Sequence, residues 1–119
     1  MNLIIDIGNS RVKLALFQND KLTEVYSLAE TELINKVSSI NFSSGIISSV
    51  GEEQTLDNFS SAFSQVKVLN HEMNFPIVLK YDSLSTLGLD RIANSVGAYQ
   101  LYPNRNNLII DIGSCITYD

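Results

Sequence analysis

Two short segments of the chain combine a carboxylate, a glycine and small polar residues in a pattern suited to phosphate chemistry. Leu3-Ile4-Ile5-Asp6-Ile7-Gly8 recurs unchanged as Leu108-Ile109-Ile110-Asp111-Ile112-Gly113, followed by Asn9-Ser10 in the first copy and by Ser114 in the second. Gly8 permits close backbone approach or a positive φ and leaves amides unshielded. Asn9, Ser10 and Arg11 add donors for phosphate oxygens. Asp6 alone would repel a phosphate. A Mg²⁺ ion between the two resolves that conflict, because Mg²⁺ commonly joins a carboxylate to substrate phosphates. An ordinary hairpin turn also favours Asp, Gly and Asn, and the first loop by itself leaves that alternative open. The second copy favours the phosphate reading.

The elements that must carry these loops follow from periodicity. Residues 2–7 read as an apolar strand, Gly8-Asn9-Ser10 as a turn, and Val12–Phe17 as a second strand with Val12, Leu14 and Leu16 on its covered face. A turn at Asn19-Asp20 and a third strand near Leu22–Leu28 complete an antiparallel meander. Thr31 is placed to cap a helix with apolar positions Leu33, Ile34 and Val37. Gly45–Val50 reads as a buried strand, and Glu53–Phe63 as a helix presenting Leu56, Phe59 and Phe63. Short strands are expected at Val66–Leu69 and, after Pro76, at Ile77–Leu79. Leu89–Leu101 carries the clearest helical stripe, Ile92, Val96 and Tyr99, with Pro103 beyond its end. The fold class expected is α/β: a mixed sheet with an antiparallel β-meander and flanking helices.

Composition narrows the function. The chain has 119 residues, 45% hydrophobic and 18% charged, enough for one domain with its own core. Its net charge is −5 without a run of Lys or Arg, which argues against nucleic acid as a partner. A single cysteine, Cys115, excludes an internal disulfide and is expected to pack as a small residue beside the second loop. No stretch approaches the ~20 apolar residues of a membrane helix. The N-terminus lacks the basic region of a signal peptide. A soluble, cytoplasmic protein without a membrane partner is expected.

The repeat implies duplication. Only six residues follow Gly113, so residues 1–104 are expected to form one domain and 105–119 to open a second whose remainder is absent. The alternative is that the last strand completes the first domain's sheet. Two such loops, one per domain, would face each other across a cleft, an arrangement that resembles the actin, sugar-kinase and Hsp70 superfamily with its actin-like (ribonuclease H-like) domains.

A third segment, Gly88-Leu89-Asp90-Arg91-Ile92-Ala93-Asn94, stands before the second loop. Together with Asp6–Ser10 and Asp111–Asp119, it makes the chain resemble roughly the first half of a type III pantothenate kinase. That resemblance implies phosphorylation of pantothenate by ATP, the first step of coenzyme A synthesis. It also implies a homodimer, Mg²⁺, and a monovalent cation such as K⁺ or NH₄⁺. By position it assigns Asp6, Ile7, Gly8, Asn9, Ser10, Arg11, Val12 and Lys13 to the first ATP-phosphate segment, and Ser114 to an ATP contact. Tyr81, Gly88, Leu89, Asp90 and Arg91 fall on pantothenate-binding positions, with Asp90 as general base. Asp6 and Asp111 become metal ligands, Asp111 for the monovalent cation. Ser10 and Ser114 stand where threonine is usual, and Cys115-Ile116 where Ala-Thr is usual. The second half, which would complete the ATP site, is missing, so the 119 residues alone are expected to be inactive.

Other readings stand beside this one. Asp90 could simply be a carboxylate stabilised by a helix start, Tyr81 a half-buried strand aromatic, and Arg91 a surface cation or a residue that organises the loop. His71 is expected to be solvated, and Tyr99 and Tyr102 to serve packing or a subunit contact. Another small-molecule kinase of the same superfamily, or a catalytically inactive protein that binds nucleotide or pantothenate, are the competing functions.

Overall fold

A computed structural model describes residues 1–49, 53–113 and 115–119. Val50 and Ser114 lie outside the described residues. The chain divides into two compact units, Met1–Leu69 and Asn70–Asp119.

The first unit is an α/β layer. β1 (Asn2–Ile7), β2 (Val12–Gln18) and β3 (Lys21–Leu28) form the expected meander, while β4 (Ser44–Ser49) and β5 (Val66–Val68) add on the other side in the order β3-β2-β1-β4-β5. β4 runs parallel to β1, and β5 parallel to β4, so the sheet is mixed. Alternation decides its two faces. Leu3, Ile5 and Ile7 are buried with Val12, Leu14, Leu16 and Ile47, in one cluster with Leu33 and Val37 of α1 (Leu33–Ser38) and Phe59 of α2 (Glu53–Ala62). Each such side chain contributes about 1.5–3 kcal/mol on burial. Gly45 lets β4 lie against β1, because a Cβ there would stand 2.9 Å from the Leu3 carbonyl oxygen. The β2–β3 turn places both Asn19 (φ 49°) and Asp20 (φ 60°) in the left-handed region, as the commonest two-residue hairpins require.

Thr31 does not cap α1. It lies inside a 3-10 turn, Glu30–Glu32, and the carboxylate of Glu32 reaches back to accept the Ala29 amide at 2.9 Å. α1 itself starts after this turn, with Glu32 at its N-cap and no side-chain cap.

The second unit begins with an irregular segment. No strand forms at Ile77–Leu79; Pro76 removes a donor, and Val78 is 85% exposed. His71 is more than a solvated loop residue, since its Nε2 lies 2.7 Å from the Leu87 carbonyl and ties the loop to the approach of the last helix. A 3-10 turn, Leu84–Thr86, leads to α3, which spans Leu89–Leu101 as the sequence predicts. Ile92 is buried, but Tyr99 at the end of the stripe is exposed, as is Tyr102. Pro103 and a left-handed Asn104 follow the helix, and the Asn107 amide donates to the carbonyls of Tyr102 and Arg105.

The chain closes with β6 (Ile110–Ile112) paired antiparallel to β7 (Ile116–Tyr118) in a separate two-stranded sheet. The last strand therefore does not complete the five-stranded sheet. Ile110, Ile112, Ile116 and Tyr118 share one face of this hairpin, and all are more than half exposed. Cys115, expected to pack beside the second loop, is exposed. Among the described residues, no helix is long and apolar enough to cross a membrane.

Candidate functional site

The first loop projects from the end of β1. Asp6 faces away from the buried row of Leu3, Ile5 and Ile7 and is itself half-buried. Register places it opposite Lys13 on β2 and beside Ser48 on β4, and Lys13 in turn opposite Ser27 on β3. Four strands thus carry one polar row, Ser27–Lys13–Asp6–Ser48, with directly opposed Cβ atoms about 5 Å apart. A carboxylate and an ammonium side by side at a strand end offer one ligand for a cation and one partner for a phosphate oxygen.

The turn itself is pinned by the Gly8 amide, which donates to the Arg11 carbonyl at 3.1 Å. Gly8 does not use the positive φ that a glycine permits, and a Cβ there would stand 3.4 Å from that same carbonyl oxygen, close to an ordinary contact. Asn9, Ser10 and Arg11 are exposed, with donor groups available to a ligand. Ile7 and Val12 are 3% and 1% exposed. Their side chains belong to the core, and only their backbone could serve a nucleotide.

The sequence repeat is also a structural repeat. Asp111, like Asp6, is the penultimate residue of a strand that enters an antiparallel hairpin, and the Gly113 amide donates across its turn to the Cys115 carbonyl at 2.9 Å. The two copies differ in covering: Ile7 is buried, whereas its counterpart Ile112 is 74% exposed.

Within the second unit, Asp111 accepts a hydrogen bond from the Asn94 amide of α3 at 3.3 Å and lies opposite Thr117. The Thr117 Oγ1 is buried and, among the described residues, has no hydrogen-bond partner. A carboxylate beside an orphaned hydroxyl is an oxygen donor pair, which fits a hard cation better than it fits nothing. Among the described residues, no three His, Cys, Asp or Glu side chains converge as a metal cage.

The start of α3 is the third component. Gly88 is its N-cap, and the Asp90 carboxylate turns back so that Oδ1 accepts the Arg91 amide at 2.9 Å. Asp90 is exposed, a solvent-facing carboxylate held at a helix start where the backbone dipole favours its charge. Arg91 is not a free surface cation. Its Nε donates to both Asp119 oxygens at 2.8 and 3.0 Å, its Nη2 donates to Asp119 Oδ1, and to the Tyr118 carbonyl at 3.3 Å. The Arg91 guanidinium carbon also lies 5.5 Å from the centre of the Tyr81 ring, within cation–π range. Its pKa is raised, first by the hydrogen bonds to Asp119, against an opposing effect of desolvation, with the Asp119 charge and Tyr81 adding to the rise.

Tyr81 is 45% exposed and belongs to no strand, so it is not a half-buried sheet aromatic. It lines an open, shallow depression with Lys80, Asp82, Ser83 and Thr86. Two residues near Arg91 and Tyr81 carry no signal of their own in the sequence. Lys80 adjoins Tyr81 in the depression and belongs to no motif; Asp119 closes the second segment, and its backbone pairs with Ile109 while its carboxylate meets Arg91.

A model of the family described as type III pantothenate kinase matches residues 2–119. Curated proteins of that name are similar over the whole chain: from Flavobacterium johnsoniae, 36% identical over 126 residues, covering 100% of this chain and 51% of the relative. One from Cytophaga hutchinsonii is 38% identical over 120 residues, covering 99% and 50%. One from Phocaeicola vulgatus is 39% identical over 127 residues, covering 100% and 51%. The chain spans about half the length of the curated relatives it matches. A match running from the first strand through both repeated loops, with the Gly88–Arg91 helix start between them, settles the kinship: the chain belongs to the type III pantothenate kinase family.

Proposed function

We propose that this chain is the N-terminal portion of an ATP-dependent pantothenate kinase that makes phosphopantothenate for coenzyme A synthesis, acting as a homodimer in the cytoplasm. Residues 1–104 are read as an actin-like domain and 105–119 as the opening of a second. The uncovered row of Ile110, Ile112, Ile116 and Tyr118 supports that division, since a further layer would bury it. The 119 residues alone would lack turnover, because one side of a cleft cannot align two reactants.

The observation that carries the reading is the start of α3, where Asp90 stands exposed on a fixed turn next to Arg91, with Tyr81 stacked against that guanidinium. In the transfer, the pantothenate hydroxyl oxygen attacks the γ-phosphorus of ATP, the bond to the bridging oxygen breaks, and ADP leaves. The hydroxyl proton passes to the Asp90 carboxylate. Placement suffices for this role. Tyr81, Gly88, Leu89 and Arg91 hold the acceptor. Asn9, Ser10, Arg11 and Lys13, with the Gly8 backbone, hold phosphate oxygens, and Ser114 adds a hydroxyl. Asp6 is the residue for Mg²⁺, and Asp111, with Thr117 beside it, the residue for K⁺ or NH₄⁺. When bound, these cations would offset the charge of the triphosphate.

A panel of hydroxyl acceptors offered to the complete protein with ATP tests the reading. ADP release is expected with pantothenate and not with sugars or glycerol. Release with another acceptor and none with pantothenate would contradict it.

A further inference from the structure

The geometry points to Asp119 as a positioning residue for the acceptor site: it holds the Arg91 guanidinium in the orientation that receives pantothenate. This rests on the function proposed above. A guanidinium on a flexible stem presents its donors in many directions, and ordering it has an entropic cost. Here one edge is fastened before any ligand arrives. Two Asp119 oxygens take Nε and Nη2, and the Tyr118 carbonyl takes Nη2 from the same strand. The plane of the group is fixed further by the Tyr81 ring.

The anchor is itself rigid. The Asp119 amide and carbonyl pair with Ile109 at 3.0 and 2.9 Å, so its side chain is set by the β6–β7 ladder rather than by a loop. The pair is partly shielded, with side-chain exposures of 23% for Arg91 and 16% for Asp119. Asn94 to Asp111 makes a second strut between α3 and the same hairpin. The helix start that carries Asp90 and the hairpin that carries Asp111 are thereby fastened at two points.

Steady-state kinetics of the complete protein with Asp119→Asn, Asp119→Glu and Asp119→Ala test this, alongside the Arg91 Nε–H resonance in wild type and Asp119→Asn. The amide keeps the volume but loses the charge and the two-oxygen grip. Its KM for pantothenate is expected to rise about 10- to 100-fold. Its KM for ATP and its Tm should stay near wild type, and the Arg91 Nε–H signal should lose its protection from exchange. Asp119→Glu should recover part of the pantothenate affinity. An unchanged KM for pantothenate, or a fall in Tm with both KM values moving together, would overturn the inference in favour of a fastening role alone. A protein that does not use pantothenate at all would instead defeat the proposed function. In that event retention of the protected Nε–H signal in Asp119→Asn would overturn the positioning of Arg91 independently.

Discussion

Gly88 and Asp90 share one small volume: the Asp90 carboxylate folds back over Gly88, at the point where any Cβ would stand. The glycine is thus a condition for the position of the carboxylate, not for an unusual backbone, since its φ of −56° is open to every residue. Gly88→Ala should displace the carboxylate and lower turnover by about tenfold or more, while costing about 1 kcal/mol or less of stability. Parallel kinetics and thermal melts of the variant separate the two effects.

Asp90→Asn retains an oxygen to accept the Arg91 amide, so α3 should start as before. Loss of the proton acceptor should lower turnover of the complete protein by about a hundredfold or more. Circular dichroism would check the fold, and kcat the chemistry. Normal turnover would remove Asp90 from the role of base.

The pairing of Thr117 with Asp111 bears on the monovalent cation. Thr117→Val keeps the shape and deletes a hydroxyl that has no partner among the described residues. Without added potassium, the variant should melt at or slightly above the wild-type temperature, because an unsatisfied buried group is lost. If the hydroxyl is a cation ligand, the rise of Tm with potassium concentration should be weaker in the variant. Equal potassium responses would exclude Thr117 from the cation site.

Core positions follow simpler rules. Phe59 is 1% exposed and joins α2 to the sheet, with its ring centre 4.8 Å from that of Phe63. Phe59→Ala should destabilise the first unit by about 3–5 kcal/mol in denaturant titration. At the β2–β3 turn, Asp20→Gly relieves a left-handed residue and should stabilise by about 1 kcal/mol or less.

Much of this was legible in the residues because local pattern and tertiary need coincide. The alternation of Leu3, Ile5 and Ile7 with Ile4 and Asp6 marks both the strand and the face on which the carboxylate lies. The stripe of α3 gives its bounds, and Pro103 its end. Failures came where a partner outside the local window decides. Ile77–Leu79 has β-forming side chains but, among the described residues, no strand pairs with it. Thr31 is a good capping residue, yet it falls inside the 3-10 turn, and α1 begins after it without a side-chain cap. Cys115 is a residue type that is usually buried, but a hairpin tip leaves it in solvent. The tie from Arg91 to Asp119 spans 28 positions, and no periodicity within either segment foretells it.

Phosphorus NMR of the complete protein with ATP, Mg²⁺, potassium and pantothenate bears most directly on the chemistry assigned to these two hairpins and the helix start between them. A phosphate monoester of pantothenate should accumulate in step with ADP, and the Asp90→Asn protein should form it far more slowly. ADP appearing with inorganic phosphate and no ester, or ester forming at the same rate in both proteins, would contradict the assignment.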